Sequence, residues 1–401
     1  MTENEEVFTS AINPFALGET VLNKKVDWNN ISSPRETLSE ILNVQSDELF
    51  SADSVIINPH IQISGGKLKR LNPKESSERL SEYLVGKTKK RLTLTKSISS
   101  RVALKDISQR VIENLAANVE SPNNTPWNPA NTKWVDKGDY FEDVAELTDP
   151  IQGGLGDCYY IAALCSVAWS RPYAILNATA PSASGNEESP THLVSFYNTN
   201  GKKEDVTVSE LTPVNSSNSN WIYARSLDNG EIWPAIMEKA YAKWKTQNTT
   251  DFPNYLQIAG GDPVEACRQL IGGSKTYKYT SKVSATDIST FIRSNSLSMR
   301  TFNPMVAWTP ATEPKGCNFN NAHIVANHAY SVLGWMYSNS QYYVVLRNPW
   351  GSYHGILDTL SSTYNATING FNANIKLNTN GIFAMKISTF KTYFAGLGVV
   401  K

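Results

Sequence analysis

The chain has 401 residues, with 37 Lys and Arg balanced by 37 Asp and Glu, and 40% of it is hydrophobic. That length holds two or three domains of ordinary size with ample core, and the even charge points to no class of partner. No apolar run has the length of a membrane span, and the acidic, polar start MTENEEVFTS is unlike a secretory leader.

Charge is unevenly spread along the first third. Residues 1–60 hold ten acids and three bases, and residues 67–110 hold thirteen bases and four acids. A basic stretch with few aromatics and no nucleic-acid motif reads as a solvated or internally docked surface, so no nucleic acid is expected. Three helices are predicted here. SPRETLSEIL (33–42) has Ser33, Pro34 and Glu36 as a capping box. NPKESSERLSEYLVG (72–86) repeats the device with Asn72, Pro73 and Glu75 and stops at Gly86. LKDISQRVIENLAANV (104–119) carries Leu104, Ile107, Val111 and Leu115 at helical spacing. The Asn- and Pro-rich stretch 121–134 reads as a linker and a boundary.

Beyond it the texture changes. Residues 158–168 are apolar all round and predict a buried helix. HLVSFYNTNGKKEDVTVSEL alternates about Asn200-Gly201 and predicts a β-hairpin. EIWPAIMEKAYAKW predicts an amphipathic helix. HAYSVLGWMY and QYYVVLRNPWG predict two neighbouring strands. A helical first part followed by a β-rich second part is an α+β chain.

The stretch IQGGLGDCYYIAALCSVAW (151–169) places Cys158 where a glycine-rich turn meets the buried helix. A helix start carries partial positive charge and free N–H groups, which favour the reactive thiolate. Asp157 is the expected N-cap, and the glycines leave room for a substrate backbone. Gln152 and the Cys158 N–H are candidate donors to an oxyanion. His328, in the strand NHAYSV, and Asn348, in RNPWG, can meet on adjacent strands, with Asn348 fixing the imidazole tautomer. Taken singly each has an ordinary reading: a buried Cys, a hydrogen-bonding His, a turn Asn. Cys165 lies two turns deeper and reads as core. Cys267 and Cys317 lack the turn-helix context, and His60, His192 and His354 lack a strand partner bearing Asn. His323 is the rival base. The four cysteines form no CxxC pair, against a disulfide framework or zinc site and in keeping with a reducing compartment. Cytoplasmic use fits, and leaderless export would leave the same sequence.

Four ordered blocks resemble the calpain family of papain-like cysteine proteases: QGGLGDCY, EIWPAIMEKAYAKW, NHAYSVLGW and RNPWG. Tyr159 stands in place of the family's Trp, and Asn327 in place of a Gly. The resemblance covers residues 131–401. It implies a papain-like two-lobed core, with a first lobe over 131–245 and a β-rich second lobe over 246–401. A mainly helical extension, 1–130, precedes them as a pro-segment or regulatory arm. It also implies Cys158 as nucleophile, His328 as base, Asn348 as orienter, Gln152 as oxyanion donor and Trp350 as the indole shielding the pair. Of the family's two core calcium sites, Asp149 and Glu231 match the first, and no acids stand at the second. At most one calcium site is therefore expected. EF-hand loops and a further β-sandwich are not expected. The implied activity is endopeptidase cleavage of protein substrates, with self-processing of the extension. The alternatives are a binding or adaptor module and another Cys-dependent acyl transfer.

Overall fold

The computed structural model describes residues 9, 11, 61–64, 67–70, 126–129, 131–140, 145–181, 191–228, 230–368 and 371–401. The helices predicted at 33–42, 72–86 and 104–119 lie outside the described residues. The regular structure described in the extension is a hairpin. Its strands β1 (Ile61–Ser64) and β2 (Lys67–Arg70) are antiparallel, with Ser64 opposite Lys67. The intervening Gly-Gly is a pair that suits a two-residue loop.

The expected linker ends in a strand, β3 (Thr132–Val135). Trp134 explains the departure. Its ring stands edge-on to Phe252 at 4.9 Å, so TKWV is drawn onto the body of the protein despite its Asn- and Pro-rich approach. The buried helix forms as α1 (Cys158–Ser170), with all thirteen residues buried. After α2 (Pro172–Ala178) come β4 (Thr179–Pro181), β5 (Thr191–Tyr197) and β6 (Lys203–Ser209), a three-stranded antiparallel sheet. β5 and β6 are the predicted hairpin. β7 (Thr212–Asn215) then returns to pair with β3.

α3 (Trp233–Thr246) is less amphipathic than its sequence suggests, since every residue from Trp233 to Ala242 is buried. Lys239 survives there because its Nζ donates to the Ser209 and Leu211 carbonyls and pairs with Asp251 at 2.7 Å. α4 (Pro263–Ile271) starts on Asp262, whose side chain accepts from the Val264 and Glu265 amides.

The remaining elements are β8 (Lys275–Tyr279), α5 (Ala285–Ser294), β9 (Ser296–Leu297), β10 (Arg300–Thr301), β11 (Met305–Trp308), α6 (Phe319–Ala322), β12 (Ala329–Ser338), β13 (Gln341–Arg347), β14 (Thr363–Ile368), β15 (Phe371–Lys376), β16 (Ile382–Lys386), α7 (Ile387–Tyr393) and β17 (Gly396–Val400). β14 and β15 pair as a separate hairpin, and the other strands build an antiparallel sheet in the order β16-β13-β12-β11-β17-β8, with β10 pairing β12 and β9 pairing β10. β12 and β13 are the neighbouring strands the sequence predicts. The sheet is covered on both faces. On β11, Val306 and Trp308 join the core around α1, α3 and α4, while Met305 and Ala307 join the core containing α5 and α7. Alternate side chains of a strand face opposite ways, so a doubly covered strand reads as a continuous apolar run.

Helix α1 is pinned to this sheet by polar side chains reaching backbone. Ser166 Oγ donates to Met305 O at 2.8 Å, Ser331 Oγ to Ala162 O at 2.7 Å, and Trp169 Nε1 to Leu333 O at 2.6 Å. These bonds hold α1 against β11 and against β12, the strand that follows His328.

Candidate active site

β12 begins at Ala329 and β13 ends at Arg347, so His328 stands one residue before one strand and Asn348 one residue after the other. The predicted strand position of His328 is thereby moved to the loop end. There its N–H donates to Thr309 Oγ1 and its carbonyl accepts from the Thr309 amide, both at 3.0 Å. The register, Ser331 opposite Arg347, brings the two ends together. His328 Nε2 lies 2.8 Å from Asn348 Oδ1.

The Asn348 orientation is set by its neighbours. Nδ2 donates to Tyr353 O at 2.8 Å, and Oδ1 accepts from the Trp350 amide at 3.1 Å. With Oδ1 accepting, His328 Nε2 carries the proton and donates. Nδ1 is then the nitrogen left free, and it has no hydrogen-bond partner among the described residues. The Trp350 ring lies 4.9 Å from the imidazole at 51°, and the Tyr330 ring meets it edge-on at 4.9 Å. The NPWG segment folds back as a turn, with the Gly351 N–H on Asn348 O at 3.0 Å. Gly351 has φ +70°, a conformation glycine adopts without strain.

Cys158 begins α1, as expected, and the Ala329 amide faces its sulfur. The expected thiolate is not what burial allows in this state. Removal from water pushes the thiol up to about 12, against the lowering by the Thr9 hydroxyl and the Ala329 and Ala11 backbones. Burial likewise drives His328 down to about 3, against the lift from Asn348. Both groups are therefore neutral at pH 7. The partial charge of a helix start is small beside the cost of enclosing an ion.

Two supporting expectations change. Asp157 holds the N-cap position but makes no side-chain cap bond. Its carboxyl faces Glu238 instead, and burial raises both. Glu238 also accepts from the Ala224 amide at 3.0 Å. The glycines make room for the protein's own chain: a Cβ on Gly153 would sit 2.3 Å from the Tyr223 carbonyl carbon. Gln152 is buried, and its Nε2 donates to Leu155 O and to Ala11 O, each at 2.7 Å.

Cys165 is core, as expected, with an addition no local pattern reveals. Arg347 is fully buried, and its Nη1 lies 2.5 Å from Cys165 Sγ. The same guanidinium donates to Pro150 O at 3.0 Å and to Thr148 O at 2.8 Å. Close by, the Gln152 amide donates to Pro349 O at 2.9 Å. The segment before Cys158 is thus tied directly to the segment carrying Asn348 and Trp350. The only sequence signal was the Arg that opens RNPWG.

The other histidines stand elsewhere. His323 caps α6 and stacks on Tyr353 at 4.9 Å. His192 lies 2.6 Å from Glu210, His354 is half-buried, and His60 lies outside the described residues. Cys267 is buried, and burial raises its thiol.

Asp149 and Glu231 do come together, both buried. Asp149 Oδ2 accepts from the Glu146 amide at 2.7 Å and from Trp233 Nε1 at 3.0 Å. Glu231 Oε2 accepts from Ser226 Oγ at 2.9 Å. Burial raises both carboxyls, and Asp149 adds to the rise at Glu231. Glu231 Oε1 has no hydrogen-bond partner among the described residues. No cluster of three or more His, Cys, Asp or Glu suited to a metal occurs among the described residues.

Comparison with known proteins shows the family. The family described as calpain family cysteine protease matches residues 105–401. A thiol protease of Porphyromonas gingivalis (strain ATCC BAA-308 / W83) is 31% identical over 388 residues, covering 85% of this chain and 76% of that protein. Human calpain-8 is 28% identical over 212 residues, 52% of this chain and 28% of its own. The human calpain-1 catalytic subunit is 26% identical over 225 residues, 55% of this chain and 30% of its own. The chain thus spans less than a third of either human protein. Matched over residues 105–401, the chain belongs to the calpain family of cysteine proteases.

Proposed function

We propose that peptide hydrolysis runs through Cys158, His328 and Asn348. The observation that carries this is the oriented imidazole: Nε2 is bound to Asn348, Nδ1 has no hydrogen-bond partner among the described residues, and the backbone of the next residue, Ala329, faces the Cys158 sulfur. Nδ1 takes the thiol proton as the sulfur attacks a peptide carbonyl carbon. The Gln152 side-chain amide and the Cys158 N–H hold the developing oxyanion. The imidazolium then protonates the leaving amine, and water, activated by the same nitrogen, hydrolyses the thioester. Trp350 keeps water from the His328–Asn348 bond. On this reading residues 131–245 and 246–401 are the two lobes of a papain-like core, and residues 1–130 are a segment the enzyme processes. Protein substrates follow from the protease assignment. All four cysteines are free, which fits a cytoplasmic site of action.

Substituting Gln152 tests the oxyanion assignment. Gln152→Ala is expected to lower kcat about 10²- to 10³-fold with KM little changed, measured on a fluorogenic peptide. A fall confined to KM would place Gln152 in substrate binding instead.

The calcium reading rests on Asp149 and Glu231. Two adjoining buried carboxylates, one with an unpartnered oxygen, suit a hard cation that repays their burial. Calcium takes about six to eight oxygens, so backbone carbonyls and water complete the shell. Bound there, it supplies charge balance beneath the segment that leads to Gln152 and Cys158. Calcium is expected to raise both Tm and activity relative to EGTA, and Asp149→Asn to remove both responses. Equal Tm and full activity in EGTA would exclude a calcium site here.

A further inference from the structure

The cleft holds part of this chain. The Thr9 N–H donates to Gly261 O at 2.9 Å, and the Gly261 N–H donates back to Thr9 O at 3.0 Å, an antiparallel bridge. Two residues on, the Ala11 N–H donates to Asn327 O at 3.0 Å, immediately before His328. The Ala11 carbonyl accepts from Gln152 Nε2 at 2.7 Å. Thr9 is fully buried, and the Cys158 thiol meets its hydroxyl and the Ala11 backbone.

These contacts exceed what a cover would need. A segment that merely shields the thiol gains from burial anywhere over the sulfur. Here backbone donors and acceptors are matched on two walls, one at Gly261 and the other at Asn327. The Ala11 carbonyl is on the donor assigned to the oxyanion. The Gly261 wall is built for close approach. A Cβ there would lie 2.5 Å from the Tyr159 ring, and the Tyr159 hydroxyl is itself held by Ile258 O at 3.1 Å. Tyr159, the position where this chain departs from the family block, therefore sets the wall against which Thr9 pairs.

Resting on the catalytic reading above, we infer that Ala11–Ile12 is the first bond this enzyme cleaves, in cis, with Thr9 and Ala11 bound on the acyl side of the substrate. Cys158 Sγ bonds to the Ala11 carbonyl carbon as the bond to the Ile12 nitrogen breaks. The thiol proton passes through His328 to that nitrogen. Water then hydrolyses the thioester, giving an Ala11 carboxylate and the free thiol. The departing residues 1–11 open the cleft to other proteins. Substrates taken in trans follow the same pattern, an extended backbone with a small side chain before the cleaved bond.

Intact-mass and N-terminal sequencing of the full 401-residue chain, followed over time, test this. Casein hydrolysis is read in parallel. The expected result is a new N-terminus at Ile12 in the wild type, at a rate independent of protein concentration, with Cys158→Ala unshortened. Ile12→Pro, which leaves residues 9–11 unchanged in sequence, is expected to slow the cut by at least about tenfold, because it makes the cleaved amide tertiary, with a fixed ring on the leaving nitrogen and no N–H. Casein hydrolysis by a wild type whose N-terminus stays intact, or starts at another residue, overturns the inference and leaves the protease reading standing. A chain that neither hydrolyses casein nor shortens overturns both.

Discussion

Cys158→Ala is expected to lower peptide hydrolysis by roughly 10⁴-fold or more and to abolish covalent labelling by an epoxide of the E-64 type. The size follows from the chemistry. Without the sulfur no thioester forms, and the oxyanion donors alone give only a small rate over water. The substitution replaces a thiol by a methyl group in a closed pocket, so the fold should tolerate it within about 1.5 kcal/mol. Circular dichroism and Tm beside the kinetics separate lost chemistry from lost structure. Cys267→Ala is the control, because Cys267 is equally buried but lies within α4 rather than at a helix start. Hydrolysis near the wild-type rate in folded Cys158→Ala would sink the assignment, as would a label found on Cys267 or Cys317.

Arg347→Ala is expected to be the most damaging substitution outside Cys158, His328 and Asn348, destabilising the protein by about 3–5 kcal/mol. The guanidinium satisfies the Thr148 and Pro150 carbonyls and the Cys165 sulfur at once. Its removal strands these acceptors in a dry interior and leaves a void the size of the longest side chain there. For a chain of this size, at about 2.1 cal/mol/K of unfolding entropy per residue, the loss corresponds to a Tm fall of about 4–6 °C, or roughly 1.2 °C per kcal/mol. Arg347→Lys keeps the charge but not the planar fork, so it should recover only part of the loss. Activity should fall as well, since Asn348 is the next residue and the Asp149 segment is the one that loosens. A Tm within about 2 °C of wild type for Arg347→Ala would show that these acceptors find other partners.

Elements governed by local pattern were legible. The α1 helix, the hairpin about Asn200-Gly201 and the strand pair β12–β13 each follow from periodicity over a dozen residues. The ordered blocks also pointed to Gln152, Cys158, His328, Asn348 and Trp350 before any geometry was known, because each block joins its chemical residue to the turn or helix start that presents it. Elsewhere local pattern misled. TKWV looked like the end of a linker, yet it is a strand because Trp134 has Phe252 to meet. Asp157 looked like a helix cap, but Glu238, brought up by α3, competes for its carboxyl.

By itself the sequence determined the α+β class, the family, and the residue types the chemistry needs, since these are properties of short segments and their order. Only the tertiary structure decided how those residues stand. It set which imidazole nitrogen is free, and it joined Arg347 to Cys165 across 182 positions. It placed Ala11 on Gln152 across 141 positions and Thr9 on Gly261 across 252. It also reversed the charge expected of Cys158. A helix start favours the thiolate through a local field that sequence can signal. The burial that opposes it depends on what covers the sulfur, and here the cover comes from residues 9 and 11, about 150 positions away in the chain.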